Sequence, residues 1–427
     1  MNNEHGILVI GAGLAGLTAA WQAASAGHKV RLVAKGWGAT HWGSGCIDVL
    51  GYYPLDSETA VSSPAEGIER LVKDNPNHPY ALVGVEGVTA ALEALKGLCE
   101  EAGYPLHGSV ERNWLLPSAV GTVRPTCLAP ETMIAGDLAQ GSPMLIVGFR
   151  KFGDFFANVA ADNLAQQGFP ASWVMLDLPS LAARRVLTGV LLAKMMEQEQ
   201  FRGEVVEAVR PHLDKAERVG FPAVLGMKRA MDVKADLEAK LERPVFEIPV
   251  LPPSVPGIRL HYILKGAIER HGGRVFDGME AVRAEVEGGR VSAVYTESAA
   301  RKREHRFDNY VLATGGILGG GIVTNFEGQA REVVFGLPVA IPESRMEWFR
   351  QDFMDKEGHP VYRAGVVVGG DFRPVDGDGQ TVYENVFAAG TTLANAEVIR
   401  ERSMEGVAVA TGFMVGNWVI GGKGHRS

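Results

Sequence analysis

The sequence predicts an α/β protein built on a Rossmann-type parallel sheet, with a second α/β lobe inserted into it. Three observations lead there. A short apolar strand at residues 7–10 runs directly into Gly11-Ala12-Gly13-Leu14-Ala15-Gly16 and a helical pattern. Two more apolar strands, at residues 310–313 and 386–389, end in glycine turns far downstream. The chain has 427 residues, 46% of them hydrophobic, too many for one small core, so two lobes are expected.

Residues 7–10 read as a buried parallel strand because a turn signal follows at once. From Leu14 the apolar positions Leu17, Ala20, Trp21 and Ala24 recur at helical spacing, and Gly27 supplies the stop. Residues 30–33 are the next strand, which completes a βαβ unit with the expected right-handed crossover. Pro and Gly then become frequent to about residue 143, with weak helices at 65–73 and 88–101. Residues 144–148, 154–167 and 173–176 read as strand, helix and strand, joined at 149–153 by a structural turn without the glycine fingerprint. Residues 223–227, a helix at 231–241 and the Pro-rich 248–256 close the lobe, and a helix at 258–271 leads out of it. Residues 274–313 alternate in strand fashion around a hairpin turn at Gly288 and Gly289. The strand at 386–389, Gly390 and a helix from about Ser403 complete the chain. The expected division is a flavin-binding Rossmann-type domain over 1–55, 257–330 and 370–427, an inserted lobe over 56–256, and a connecting segment of that lobe over 331–369.

The net charge is -8, from 42 basic and 50 acidic residues, and the one basic block, residues 301–306, reads as a solvated turn. Nucleic acid is therefore a poor partner. The polar start shows no signal peptide. The apolar stretch at 406–420 is broken by Gly412, Gly416 and Asn417 and falls short of the roughly 20 residues a bilayer needs. No membrane span is expected, so membrane association would be peripheral or through a partner. Cys46, Cys99 and Cys127 form no CxxC pair, which argues against a disulfide framework, a metal site or an iron–sulfur cluster and fits the cytoplasm.

The glycines carry the clearest chemistry. Gly11 allows the tight turn, Gly13 lets backbone approach a phosphate, and Gly16 lets helix and strand pack closely. The N–H groups opening the helix at Leu14 and Ala15, with the helix dipole, favour an anion there. The second strand should end in an acid for the ribose hydroxyls of an adenosine, but Ala34 and Lys35 stand there. That favours FMN, which has no adenosine ribose, over FAD. The loop after this strand offers Thr40, His41, Ser44 and Gly45 as donors beside a flavin, in the manner of two-dinucleotide-binding-domain flavoprotein folds. His41 can contact the flavin or relay a proton, or serve only as a solvent-facing or structurally bonded histidine. Thr314 and Gly315 close one late strand and Gly390 and Thr391 another, as one shared cofactor cleft would require. Gly406 opens the last helix, whose N-terminus is suited to the flavin's pyrimidine edge. The charged run from Arg400 to Glu405 before it reads equally well as a solvated cap. Arg124, Arg150 and Arg259 are candidates to grip an anionic substrate. No general base stands out, and no metal is expected.

The segments GAGLAG at 11–16, ATHWGSGCIDVL at 39–50, NHPYALVG at 77–84, VLPPSVPGIRL at 250–260, LATGG at 312–316 and FRPVDGDGQTVYENVFAAG at 372–390 occur in this order. Together the chain resembles the B subunit of anaerobic glycerol-3-phosphate dehydrogenase, essentially end to end. The resemblance implies an FMN-binding member of a three-part complex that oxidises glycerol 3-phosphate to dihydroxyacetone phosphate at the cytoplasmic face of the membrane. Its partners would be a catalytic flavoprotein A subunit and an iron–sulfur C subunit that reaches the quinone pool. The family's last helix begins in a glycine-rich turn, whereas this chain has charged residues there that would crowd a flavin ring. Three readings follow: an electron-transferring flavoprotein subunit, a self-sufficient dehydrogenase of a small anionic substrate, and an assembly subunit poor in cofactor.

Overall fold

In a computed structural model that describes residues 4–299 and 301–421, the chain divides into two compact units. The first comprises Met1–Ala39, Asp48–Leu95 and Ile263–Ser427; the second comprises Thr40–Ile47 and Lys96–Tyr262. Residues 1–3, 300 and 422–427, which the expected domain boundaries include, lie outside the described residues.

The first unit is organised by β1 (Glu4–Ile10), α1 (Leu14–Ser25) and β2 (Val30–Ala34). Ile7, Leu8, Val9 and Ile10 are all buried, as a central parallel strand covered on both faces requires. β1 pairs with β2 on one side and with Phe307–Leu312 on the other; Arg274–Asp277 and Val386–Ala388 add the outer strands, all parallel. The carboxyl ends of these strands therefore share one edge, where open parallel sheets bind ligands. α1 lies against the last helix, Met404–Val419, at a distance only glycine permits: a Cβ at Gly412 would overlap the Ala15 carbonyl, and one at Gly416 would lie 2.7 Å from the Gln22 Cβ.

A separate antiparallel sheet is formed by Glu280–Glu287, Arg290–Ser298 and Arg301–His305. Gly288 and Gly289 make its hairpin turn with φ of 56° and 77°, which side chains disfavour. The basic block is an edge strand rather than the expected turn. Arg301, Lys302 and Arg303 stay exposed along it, and such charges discourage further strands from pairing.

The second unit carries its own parallel sheet, in the order Val245–Ile248, Arg218–Pro222, Met144–Phe149, Ala171–Leu176. Its earliest strand is central and the later ones fall on both sides, a doubly wound order. Helices Gly189–Met196 and Glu199–Val209, absent from the sequence reading, cover it with buried Leu192, Met196, Phe201 and Val205. Residues 223–227 follow the strand Arg218–Pro222 as a loop that Arg259 and Glu247 hold. The Arg259 guanidinium donates to both Glu247 oxygens at 2.7 and 2.9 Å, to Tyr104 Oη at 3.1 Å and to the Gly226 carbonyl. Glu247 also accepts the Leu225 N–H and the Thr132 hydroxyl.

The units redraw the expected boundaries. Residues 56–95 group with the first unit because Asn75 Nδ2 donates to the Asn395 carbonyl, Tyr80 Oη to the Val49 carbonyl and His78 meets Glu401. Residues 331–369 do so through the Ala340–Gly365 bridge and the Val366 N–H donated to the Thr392 carbonyl. Residues 40–47 and 257–262 belong to the second unit, where Ile47 bridges Leu128 and the Ser254 N–H reaches the His41 carbonyl.

Arg259→Met should strand the buried Glu247 carboxylate and lower unfolding stability by about 3–5 kcal/mol. Adding Glu247→Gln should recover part of that loss in urea titrations; a single variant as stable as the parent would show that the pair does not hold this unit.

Candidate functional site

The glycine turn is built by backbone contact. The Gly11 N–H donates to the Val33 carbonyl and the Ala313 N–H to the Ile10 carbonyl, both at 2.9 Å, so the turn is strung between β2 and Phe307–Leu312. Gly11 has φ 116°, and a Cβ there would overlap the Ala313 carbonyl oxygen; a Cβ at Gly16 would overlap that of Gly11. Gly13 differs. It caps α1 at an ordinary φ of -74°, and no atom lies within 4 Å of where its Cβ would be. The first turn of α1 contains no acid, and the cap makes no side-chain bond. The opening N–H groups of the helix, including those of Leu14 and Ala15, lie at its positive dipole end, an arrangement that fits a phosphate.

The later strand ends converge on the same place. Gly315, with φ 86°, donates its N–H to Thr392 Oγ1 at 3.0 Å, and a Cβ at Gly316 would overlap the Thr391 carbonyl. Gly390, with φ 75°, would place a Cβ 2.7 Å from that of Ala15, and its N–H is held by Thr411 Oγ1 at 2.8 Å. The Thr314 hydroxyl has no hydrogen-bond partner among the described residues, although its oxygen is shielded from solvent. It packs against Gly321, where a Cβ would overlap it. Gly11, Gly13, Leu14, Ala15, Gly16, Thr314, Gly315, Gly390 and Thr391 are therefore gathered at one carboxyl edge. Gly38 was missed by the sequence reading: with φ 70°, its Cβ would lie 2.8 Å from the Gly13 nitrogen, so the loop after β2 runs against the glycine turn. Its only signal was one more glycine shortly after a strand. Ala34 is buried at the end of β2, and Lys35 pairs with Glu280.

Gly406 is used differently from the expectation. Its N–H donates to the Asp48 carbonyl at 2.9 Å, and a Cβ there would overlap Tyr80 Oη and lie 2.7 Å from the Val49 Cα. This glycine admits the 48–49 backbone and leaves no room for a flavin ring against it. The charged run before it is no solvated cap either. Glu401 and Ser403 are buried; the Glu401 carboxylate contacts His78 Nε2 at 3.2 Å and accepts the Ser403 hydroxyl at 2.7 Å and the Glu397 N–H at 3.1 Å. Arg400 donates to the Leu55 and Asp355 carbonyls, and Arg402, at φ 50°, reaches Asp48. Burial pushes the Glu401 carboxyl up, but His78 and Ser403 outweigh it and hold the group below the usual range. Burial raises Glu397, beside it, to about 7.

Thr40, His41, Ser44 and Gly45 lie in the second unit, where all four are buried. A Cβ at Gly257 would overlap the Thr40 carbonyl, and one at Gly45 the Pro256 Cβ. Residues 40–45 and 256–257 thus pack on each other within the second unit. The His41 and His261 rings meet there at 4.7 Å between centroids, and Thr40 Oγ1 has no hydrogen-bond partner among the described residues. Of the candidate anion grips, Arg259 is wholly engaged inside the unit, so that role falls away. Arg150 is an exposed partner of Asp177, and Arg124 is buried. A cavity of about 580 Å³ lined by Phe169, His212 and Lys215 lies at the amino ends of the second sheet, opposite to where parallel sheets bind ligands.

A family model described as "FAD binding domain" matches residues 6–406. A Halobacterium salinarum protein, named as a probable B subunit of anaerobic glycerol-3-phosphate dehydrogenase, is 35% identical over 97% of this chain and 97% of its own length. The chain belongs to that family. A relative in Pectobacterium atrosepticum, named as the B subunit of the same dehydrogenase, is 31% identical over 98% of this chain and 99% of its own. Among solved structures, 3-ketosteroid delta1-dehydrogenase from Sterolibacterium denitrificans aligns over 99% of this chain and 100% of its own at 11% identity and a TM-score of 0.43, too loose a likeness to argue from. As a family member the chain is a flavin-dependent oxidoreductase, one subunit of a glycerol-3-phosphate dehydrogenase. Among the described residues no helix is long and apolar enough to cross a membrane.

Gly13→Asp should abolish flavin binding without loss of fold, since the new side chain enters open space but opposes a phosphate. Gly16→Val should instead destabilise the chain, and absorbance together with thermal melts separates the two outcomes. Because Glu397 is raised in the folded state from 4.5 to about 7, its contribution to stability is full below 4.5 and lost as pH rises through 7. Glu397→Gln should flatten that decline in melting temperature, and an unchanged slope would assign it to other groups.

Proposed function

We propose that the chain is the flavoprotein subunit of a membrane-associated anaerobic glycerol-3-phosphate dehydrogenase complex. Glycerol 3-phosphate loses the C2 hydrogen as hydride and its hydroxyl proton, giving dihydroxyacetone phosphate. The flavin accepts the electron pair when bound, and an iron–sulfur C subunit conveys electrons to quinone at the inner face of the membrane, with a flavoprotein A subunit as the other partner. The observation that carries this reading is the open, acid-free cap at Gly13, on which the turns at Thr314–Gly316 and Gly390–Thr391 converge. The family model makes FAD the direct reading of the flavin; Ala34, in place of a ribose acid, is what favours FMN as the second.

The full chain, purified alone and with its partner subunits, should carry bound flavin and support glycerol 3-phosphate-dependent quinone reduction only when the partners are present. Absence of flavin in both preparations would sink the reading and favour an assembly role. Anaerobic bleaching of the flavin by glycerol 3-phosphate in the isolated chain would favour the self-sufficient dehydrogenase.

A further inference from the structure

The stretch of the first unit that follows the Thr314–Gly316 turn holds large apolar side chains out into solvent. Phe326, Met346, Phe353 and Met354 are 94%, 88%, 85% and 77% exposed, and Phe349 is exposed as well. Internal contacts gather them on one surface. Ile322–Thr324 and Ala330–Glu332 form a hairpin with Phe326 in its turn. The Arg345 guanidinium lies 5.9 Å from the ring centres of both Phe326 and the buried Trp348, and it donates to the Phe326 carbonyl. The buried His359 ring sits 5.6 Å from that of Phe349, accepts the Arg350 N–H at 3.1 Å and donates to the Phe353 carbonyl at 3.0 Å. Trp348 and these polar bonds fix the backbone, so the apolar side chains are left outside. The hairpin hangs from Gly321, whose carbonyl accepts the Val333 N–H and which packs on Thr314, so this surface continues from the carboxyl edge of the sheet.

We propose that this face is the docking surface for another protein subunit, one that presents an apolar area flanked by lysine and arginine side chains. The inference rests on the reading above of the chain as one subunit of a complex. Apolar patches rimmed by polar residues mark interaction sites on soluble proteins, and aromatic and methionine side chains are enriched at protein interfaces. Charge selects the occupant. Residues 326–357 hold seven acidic residues against four basic ones. Among the described residues, Glu327, Glu343, Glu347 and Asp352 are exposed and make no ion pair, while Arg350 is engaged by Asp355 and Glu357. Such a rim repels the anionic lipids of a membrane surface. In a two-fold pairing of copies it would set acids against acids. A partner with a basic rim neutralises it and covers the phenylalanines and methionines.

The immobilised full chain should capture the purified partner subunits of the complex, and Phe326→Ser combined with Phe353→Ser should weaken that binding about tenfold or more. Glu343→Lys combined with Glu347→Lys should weaken it at low salt, with the loss shrinking as salt rises. Val186→Ser, at an exposed apolar site in the second unit, should leave it unchanged. Flavin absorbance and melting temperature should match the parent in every variant, because the substituted side chains are exposed. Three results would overturn the docking assignment while leaving the complex reading intact: partner affinity that survives both double variants, self-association of the chain alone that Phe326→Ser with Phe353→Ser abolishes, or binding to phosphatidylglycerol vesicles that the same variant loses. A parent chain that binds no partner subunit would sink both.

Discussion

The carbonyl oxygens of Gly11 and Ala313 occupy the space that side chains at Gly16 and Gly11 would need, and the first unit is arranged around that closeness. It draws β1 to Phe307–Leu312, seats α1 on the sheet, and lets Gly390 come against Ala15. Substituting these glycines is a packing error before it is a binding error. Gly13 is the exception, since the turn leaves space where its side chain would be.

The charged turn before the last helix illustrates how a fold absorbs charge into its interior. Buried charge is costly unless it is paired and hydrogen-bonded. Here Glu401 is met by His78, Ser403 and the Glu397 N–H, while Arg400 satisfies two carbonyls from distant segments. These side chains are turned inward, where they tie residues 55, 78 and 355 to the helix start. Gly406 serves the same packing by admitting the 48–49 backbone.

In the second unit, Arg259 and Glu247 perform the comparable task for the loops at the carboxyl edge of the sheet. Its doubly wound order would suit a second ligand, but the Gly226 carbonyl and Leu225 N–H are already taken by this pair. The Leu251 N–H also donates to the Asp154 carbonyl, linking the loops that follow two of the strands.

The sequence by itself determined the sheet of the first unit and its glycine turn. Those features depend on near neighbours: an apolar run, a glycine where φ is positive, a helix starting at a fixed offset. It also signalled Thr314, Gly315, Gly390 and Thr391, because each closes a recognisable strand. It misjudged residues 301–306, since a charged edge strand has the composition of a turn, and it misread Gly406 and Arg259, whose partners lie far away in the chain. Glu401 and His78 are 323 residues apart, and Glu280 reaches Lys35 across 245. Tertiary structure alone decided these, because the cost of burying a polar group is settled by whichever segment folds against it, and no local pattern records which segment that is.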